Sequence, residues 1–529
     1  MSHLPGGFLP ARSEGLVAAS TLGSAAAPAA ADAPPPARPL GTPVPRRSWW
    51  VAGLHGLAAA LWLSLCTWRL DSVPGMSLDE AWSILSARGQ WPPVDPLSGM
   101  TVYSGPFPVL LLRLFGTEHG VLVLRAASLA ANAAALVSSA SMLRRAYPRA
   151  RDAAWALPLV ATAPVWLIVM RTGIEVVMFM PLLVVLGLQL ALRRTPRGDF
   201  AAGLLWGLAI YNHVIGACFV AGIAVAAGLA LRRQPLVAPR LALLGGLLGV
   251  APRLLALAAF RQPLEGNATR YSLLEALGDL RWLPLCLWRT LHGDTVYLRY
   301  VGRLALEPYP YWVLALVFVA PWLRRRARVP AAARFVLYAV LASSVLVTLA
   351  APYIAVRFFV LPALGINAAL VLLGAAAIER NAAWRAPIAG AATLLSLCNL
   401  FYGVADFYRP WQRRELGITK FFLGDRSKNT GNWAYFPKEE LVRELAALSP
   451  RPEQIITVPT LERPLRVLLD GEPVRVALAV EADRALRSVF VDHLWPDSPE
   501  RHCAVTPTGE MCFGGRAAIA RFFVVYRDR

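Results

Sequence analysis

Charged residues are scarce in this sequence. Asp, Glu, Lys and Arg make up 16% of its 529 residues, whereas they make up about 25% of an ordinary soluble domain. Hydrophobic residues account for 56%. Apolar runs of about twenty residues, the length that crosses a hydrocarbon core about 30 Å thick, recur along the chain. The composition therefore excludes an ordinary soluble protein and predicts an integral membrane protein with many spans.

Acidic residues are also few, 33 against 53 Lys and Arg, so the net charge is +20. Residues 403–529 hold 19 basic and 17 acidic residues, which leaves nearly all of the excess in the N-terminal part. The Arg residues there stand in short loops between apolar runs, as the positive-inside rule requires and unlike a nucleic-acid-binding patch. The sequence has no Gly-rich phosphate loop and no convincing dinucleotide fingerprint. It therefore predicts no nucleic-acid partner and no nucleotide-binding fold.

The apolar runs predict about eleven spans, with an upper limit of 13, in an α-helical polytopic protein. They lie at 49–68, 121–143, 152–170, 174–192, 199–212, 214–231, 239–260, 309–323, 334–351, 357–378 and 384–403. If the N-terminus is cytoplasmic, every cytoplasmic loop is rich in Arg, as the positive-inside rule demands. These loops are RRAYPRARD, RRTPRGD, RRQPLVAPR, RRRARVPAAAR and ERNAAWR. The first outer loop, residues 69–120, the second large outer loop, residues 261–308, and the C-terminus then lie outside.

Three regions follow from these patterns. Residues 1–47 are rich in Ala, Pro and Gly and predict a disordered cytoplasmic tail, residues 48–403 form the transmembrane domain, and residues 404–529 form a soluble periplasmic domain. No cleaved signal peptide is expected, because the first apolar run begins at Trp49 and is long enough to span. The short apolar run Pro106–Phe115 is too short to cross and predicts an interfacial or re-entrant helix. We find no internal repeat.

The C-terminal region has the hydrophobic pattern of a small α/β or α+β domain. Strands are predicted in QIITVPTLE, LRVLLDG, VRVALAV, RSVFVDHLW and RFFVVYRD, and a helix over Lys438–Leu448. Cys503 and Cys512 are the only cysteines of this region; they are either free thiols, a metal pair without partners, or a disulfide, which an oxidising compartment favours. The other four cysteines lie in or near apolar segments and are predicted to be packing residues: Cys66, Cys218, Cys286 and Cys398.

Two adjacent carboxylates in the first outer loop are the first candidates for catalysis. Asp79 and Glu80 begin an amphipathic helix just beyond a predicted span. Capping alone explains part of this pattern, since Ser77 and Glu80 have the spacing of a capping box and an acid at Asp79 complements the helix dipole. Capping does not explain why such a helix lies at a membrane face, so Asp79 and Glu80 are both candidate catalytic residues.

Further candidates stand at the outer ends of predicted spans. Arg171 and Glu175 lie in one outer loop, where ionisable residues are costly and often functional, although the two side chains also have the spacing of a simple ion pair. Arg357 begins a later span, where a guanidinium either binds a phosphate with two hydrogen bonds or reaches to the membrane surface. His213 is a weaker candidate for ligand contact, because a single His at such a turn is usually structural.

The second large outer loop carries more positive charge than the positive-inside rule predicts for an outer segment. Its basic residues are Arg270, Arg281, Arg289, Arg299 and Arg303. This excess favours an anionic ligand.

The order of these features resembles the GT-C superfamily of membrane glycosyltransferases, most of all the branch with the protein O-mannosyltransferases and the lipid A aminoarabinose transferases. The shared features over residues 49–400 are Asp79-Glu80, a Pro-Pro followed by an apolar segment ending Leu114-Phe-Gly116, Leu124-Arg125-Ala-Ala-Ser, Arg171 before a span, and Arg357-Phe-Phe-Val-Leu-Pro362. The sequence differs from the commoner pattern in having Glu175-Val-Val after Arg171 and Asn212-His213 in place of a Lys.

The resemblance implies an inverting glycosyltransferase in the bacterial inner membrane. Its donor would be a polyprenyl-phosphate-linked sugar, and its acceptor a hydroxyl of an envelope lipid, glycan or protein on the outer face of the bilayer. Asp79 would take the acceptor proton and an Arg would stabilise the leaving phosphate. Arg171, Glu175, His213 and Arg357 would contact substrate or phosphate. No cofactor is expected, and a divalent metal is not indicated.

Two other readings remain open from the sequence. A secondary transporter would also have many spans and intramembrane charges, but transporters often show two related halves, which this sequence lacks. A non-catalytic membrane assembly protein with the same fold is the second.

Overall fold

A computed structural model describes residues 57, 60–72, 75–90, 104–147, 156–163, 166–167, 170–230, 236–260, 273–291, 309–324, 328–351, 356–403, 438–493, 499–519 and 523–528. The predicted tail 1–47 lies outside these residues. So do most of the loop 261–308 and the side chains of Arg270, Arg289, Arg299 and Arg303.

The described residues up to Gly403 are mainly helical. Residues 60–67 are helical, and fifteen helices with defined bounds follow among the described residues. They are α1 (Leu78–Ala87), α2 (Phe107–Phe115), α3 (Gly120–Ala146), α4 (Ala156–Ala161), α5 (Glu175–Met178), α6 (Met180–Ala191), α7 (Pro196–Asn212), α8 (Gly216–Ala230), α9 (Pro239–Phe260), α10 (Leu273–Asp279), α11 (Leu283–Leu291), α12 (Tyr309–Arg324), α13 (Ala331–Ala350), α14 (Val360–Arg380) and α15 (Arg385–Gly403).

Many of these helices fall where the apolar runs predict spans. By length and composition, three described helical segments can each cross a membrane: Gly120–Ala146, Ala331–Ala350 and Arg357–Arg380, the last including a 3-10 turn before α14. Shorter apolar helices cover Glu175–Ala191, Gly216–Ala230 and Val313–Leu323. The run 152–170 contains the short helix α4 followed by a break. The number of spans stays a prediction.

Small residues bring α7 and α9 into close contact. A Cβ atom added to Gly203 would overlap the carbonyl of Ala242, and one added to Gly207 would overlap the carbonyl of Gly246. Such packing is typical of membrane helices, where close backbone approach replaces the hydrophobic effect as a source of stability. Leu244, on the opposite side of α9, is exposed, which suits a lipid-facing surface.

The described residues of the C-terminal domain form a mixed sheet with two α-helices, α16 (Lys438–Ala446) and α17 (Pro459–Leu468). Its six strands are ordered β2-β1-β3-β6-β5-β4. They are β1 (Gln454–Thr457), β2 (Arg475–Leu478), β3 (Ser488–His493), β4 (Arg501–Thr506), β5 (Gly509–Ile519) and β6 (Phe523–Asp528). β1 pairs in parallel with β2 and β3, and the other pairs are antiparallel. The predicted mixture of strands and helices is thus present.

The strand predicted in LRVLLDG is wrong. Residues 465–468 of this segment form the end of α17, which connects β1 to the parallel strand β2. Leu461 and Leu465 are both fully buried and four residues apart, which is the spacing of one helix face and not of a strand. A parallel pair needs a crossover connection, and a helix supplies it here.

Cys503 and Cys512 are joined by a disulfide. They occupy directly paired positions of the neighbouring strands β4 and β5. The remaining cysteines are buried or half-buried, as expected of packing residues.

Candidate active site

The helix that carries the acidic pair is defined by its own sequence. Ser77 is the N-cap of α1, and its hydroxyl accepts a hydrogen bond from the Glu80 N–H at 3.1 Å. The Glu80 carboxylate accepts in return from the Ser77 N–H at 2.8 Å. This is the capping box that the sequence predicts. Ala81, Ile84 and Leu85 bury one side of the helix, so that α1 lies against the protein while Asp79 stays partly exposed.

Glu80 lies inside the protein and forms an ion pair with Arg125 on α3. The Arg125 Nε and Nη2 groups donate to the Glu80 carboxylate at 2.7 and 2.9 Å, and both side chains are fully buried. The Gly173 N–H donates to the same carboxylate at 2.8 Å. Although burial opposes it, this set of donors holds the pKa of Glu80 below its ordinary value. Glu80 therefore fixes α1 to the membrane helices as an ionised, fully engaged carboxylate.

Asp79, one residue earlier, faces a different partner. Its Oδ2 atom lies 3.7 Å from Nη1 of Arg357, and the two side chains are 18% and 30% exposed. Arg357 stands in the 3-10 turn Val356–Phe359 that leads into α14, and its guanidinium lies 5.5 Å from the ring centre of Phe358. A guanidinium and a carboxylate at this separation and exposure remain accessible to a substrate, which distinguishes the pair from Glu80 and Arg125.

Glu175 forms the buried side of the same cluster. One oxygen of its carboxylate accepts a hydrogen bond from the Ser104 hydroxyl at 2.6 Å, and the Asn212 side chain donates to its backbone carbonyl at 2.8 Å. Its other oxygen, Oε2, is buried without a hydrogen-bond partner in the part of the chain that the structure describes. Asp79 and Arg357 both lie within electrostatic range of this carboxylate. The structure therefore brings Asp79, Glu175 and Arg357 together.

His213 lies at the same end of the helices, between α7 and α8. Its backbone pairs with that of Ser104, its ring lies 5.8 Å from that of Phe358, and its Nδ1 accepts from the Ile215 N–H at 3.1 Å. Burial, followed by the charges of Arg357 and Arg253, lowers the pKa of His213 well below its ordinary value. It is therefore neutral at pH 7, and because Nδ1 accepts, its proton is on Nε2.

Arg171 contacts the end of the helix 60–67. It is fully buried, and its guanidinium donates to the backbone carbonyl of Leu65 at 2.8 Å and to that of Trp68. These carbonyls end the helix 60–67, whose last carbonyls lack partners within the helix. The contacts of Arg171 seen here are thus those of a helix cap.

An apolar cavity of about 470 Å³ lies among the membrane helices. Its lining begins at Leu361 and Pro362, four and five residues after Arg357. It extends to Ala146, the last residue of α3, and to Leu192, the residue after α6. Helices α8 and α13 complete the walls with Phe219, Ile223, Phe335 and Ala339, among others. The helix that begins at the Asp79–Arg357 pair therefore continues along a space suited to a long hydrocarbon chain.

Clusters of side chains that could ligate a metal are few among the described residues. The only group of three or more donor side chains close together there is Cys503, Glu510 and Cys512, and the two cysteines are joined in a disulfide. Because a disulfide removes the thiolates, this group offers a metal a single carboxylate. The expectation from the sequence, that no cofactor is needed and a divalent metal is not indicated, stays a prediction.

Comparison with known proteins gives one kind of match. No family model and no curated protein matches this sequence. ArnT from Cupriavidus metallidurans bound to undecaprenyl phosphate is a structural match with a TM-score of 0.50 and 15% identity, over 90% of this chain and 98% of ArnT. The apo state of the same ArnT aligns with a TM-score of 0.46 and 16% identity, over the same shares. The chain thus has the fold of ArnT, and with helices long and apolar enough to cross a membrane it is a multi-pass membrane protein. The resemblance read from the sequence is confirmed for the fold alone.

Proposed function

We propose that this protein is a GT-C glycosyltransferase that moves a sugar from a polyprenyl-phosphate-linked donor to a hydroxyl of an envelope lipid, glycan or protein. The reaction would take place at the outer face of the bacterial inner membrane and invert the anomeric centre. The observation that carries the proposal is the half-exposed Asp79–Arg357 pair at the start of the helix whose next turn lines the apolar cavity. The match to an ArnT structure that holds undecaprenyl phosphate supports a polyprenyl-linked donor.

The chemistry assigns a role to each member of the pair. Asp79 accepts the proton of the acceptor hydroxyl as its oxygen bonds to the anomeric carbon. The bond between that carbon and the phosphate oxygen breaks, and its electron pair leaves with the polyprenyl phosphate. Arg357 stabilises the charge that grows on this phosphate. Attack opposite the leaving group inverts the anomeric centre.

The other candidate residues support this pair in the proposal. Glu175 and neutral His213 border the reacting groups from the buried side, with Glu175 oriented by Ser104. Glu80 orients Asp79 through α1 and does not itself react, because its four hydrogen bonds already occupy both oxygens. The prenyl chain occupies the apolar cavity. The N-terminus is cytoplasmic and the C-terminal domain periplasmic in this proposal.

The test is a transfer assay with the purified full-length protein in lipid nanodiscs. A polyprenyl-phosphate sugar labelled in the sugar is mixed with an envelope extract from a strain that lacks this gene. We expect free polyprenyl phosphate and label in an acceptor that mass spectrometry identifies. A parallel assay places the same protein in sealed vesicles, where movement of intact donor across the membrane without cleavage would indicate a transporter. Binding without cleavage for every donor and extract would indicate a non-catalytic protein. Either result contradicts the proposal.

A further inference from the structure

Helix α17 of the C-terminal domain packs directly on α1, the helix that carries Asp79. The guanidinium carbon of Arg463 lies 4.2 Å from the ring centre of Trp82. At the other end of the same contact, Nη1 of Arg88 lies 2.8 Å from Oδ2 of Asp470. Val467 of α17 packs against the small core around Ile84. The two domains therefore meet at α1.

The position of Trp82 brings Arg463 close to the Asp79–Arg357 pair. Residues three apart on a helix share a face, so Trp82 and Asp79 are neighbours on α1. Burial lowers the pKa of Arg463, and the charges of Glu462 and Asp79 oppose this, so Asp79 lies within electrostatic range. Glu462 in turn has an ion pair with Arg466 at 2.7 Å. Arg357 and Arg463, from different domains, thus both lie within electrostatic range of the partly exposed Asp79 carboxylate.

We propose that Arg463 is a substrate-binding residue supplied by the C-terminal domain, and that with Arg357 it binds the phosphate of the polyprenyl-phosphate donor. A planar guanidinium stacked on an indole ring is held in orientation, and its fork of N–H donors matches paired phosphate oxygens. The site is then complete only when the C-terminal domain is docked on α1. This inference rests on the proposed function. It adds a residue of the C-terminal domain to a site whose other residues belong to the membrane domain.

Arg463 also has a purely structural interpretation, in which its contact with Trp82 only docks the domain. Arg88 provides the matched control, since it joins the same two helices through Asp470 and lies outside the site. Arg463→Gln removes the charge near Asp79 and also weakens docking, whereas Arg88→Gln weakens docking alone. Arg463→Lys retains a charge but not the planar fork.

The experiment measures binding of undecaprenyl phosphate and of undecaprenol, which lacks the phosphate, to the full-length protein in nanodiscs. Wild type should prefer the phosphate. Arg463→Gln should lose about tenfold to a hundredfold of its affinity for undecaprenyl phosphate, the range for a lost charge-assisted hydrogen bond, with unchanged affinity for undecaprenol. Arg463→Lys should lose part of this preference, and Arg88→Gln none of it. Thermal unfolding without ligand checks that each variant is folded.

Three outcomes overturn the inference. A full phosphate preference in Arg463→Gln would show that Arg463 only docks the domain. An equal loss in Arg463→Gln and Arg88→Gln would assign the effect to docking. If Arg463→Gln does not fold, Arg463→Lys takes its place. A full phosphate preference in Arg463→Lys, or a loss equal to that of Arg88→Gln, would then overturn the inference. A wild-type protein without any preference for the phosphate would contradict the proposed function as well, so the two failures are distinguishable.

Discussion

Replacement of Glu80 by Gln should destabilise the protein strongly while barely altering its shape. Each carboxylate oxygen of Glu80 accepts two hydrogen bonds: Oε1 from Arg125 Nε and the Gly173 N–H, and Oε2 from Arg125 Nη2 and the Ser77 N–H. In Gln one of these oxygens becomes an amide NH₂, which faces two donors and bonds to neither. Arg125 then stays buried without its counterion. Removing one partner of a buried ion pair costs about 3–5 kcal/mol.

The assay is equilibrium unfolding in mixed detergent micelles, with Asp79→Asn as the control. Asp79 is one residue away, but its side chain is partly exposed and its ion pair with Arg357 spans 3.7 Å. Its loss should therefore change the free energy of unfolding by about 1 kcal/mol or less. If Glu80→Gln also changes the free energy of unfolding by only about 1 kcal/mol or less, the structural role assigned to the buried pair is refuted.

The same pair predicts a pH dependence. Because the folded-state pKa of Glu80 is below its ordinary value of 4.5, its contribution to stability is complete above that pH and is lost as the pH falls further, through the folded-state pKa. Wild type should therefore lose stability in this acidic range. Glu80→Gln should lack this component of the loss, and parallel pH profiles in the two proteins would contradict the assignment.

Three further predictions concern the phosphate ligand, the orientation in the membrane and the disulfide. Arg357→Lys should reduce transfer about tenfold to a hundredfold through loss of its bidentate geometry. Arg171→Lys should instead lower the free energy of unfolding by about 1–3 kcal/mol and leave the affinity for undecaprenyl phosphate intact. The reverse pattern would make Arg171 the phosphate ligand. Reporters active only in the periplasm should be silent when fused at residues 147, 195 and 327 and active at 529, and any other pattern contradicts the proposed orientation. Reduction of the Cys503–Cys512 disulfide should cost at most about 3 kcal/mol of stability and leave transfer unchanged, because the bond lies between strands β4 and β5, away from α1; a loss of transfer would place it in the site.

The helices and one local motif were predictable because their signals are local. Long apolar runs predict helices whose bounds differ by a few residues from those observed, as for α3 and α13. The capping box at Ser77 and Glu80 is a four-residue pattern and is present. Pro106–Phe115 is indeed a short helix, Phe107–Phe115.

Partners distant in sequence were not predictable in the same way. The sequence offered Glu80 as a catalytic candidate beside Asp79, but only the fold brings Arg125 to Glu80 and separates the two carboxylates. Arg171 similarly finds the carbonyl of Leu65, more than a hundred residues away. Arg463 carried no signal, since a single Arg on an amphipathic helix is ordinarily solvated. The segment LRVLLDG is a short apolar run whose pattern alone suits either a strand or a helix. The four-residue spacing from Leu461, just before the segment, to Leu465 is that of a helix face.

The central claim is that Asp79 is the catalytic base of the transfer. Its most direct test is the single-turnover release of polyprenyl phosphate from a labelled polyprenyl-phosphate sugar by Asp79→Asn. Asp71→Asn serves as the matched control, because Asp71 is an exposed carboxylate of the same outer loop with a hydrogen bond from Ser72. We expect Asp79→Asn to fold and to bind undecaprenyl phosphate, but to cleave the polyprenyl-phosphate sugar at least about 100-fold more slowly than wild type. Asp71→Asn should cleave it at the wild-type rate. Release by Asp79→Asn at the wild-type rate would contradict the account.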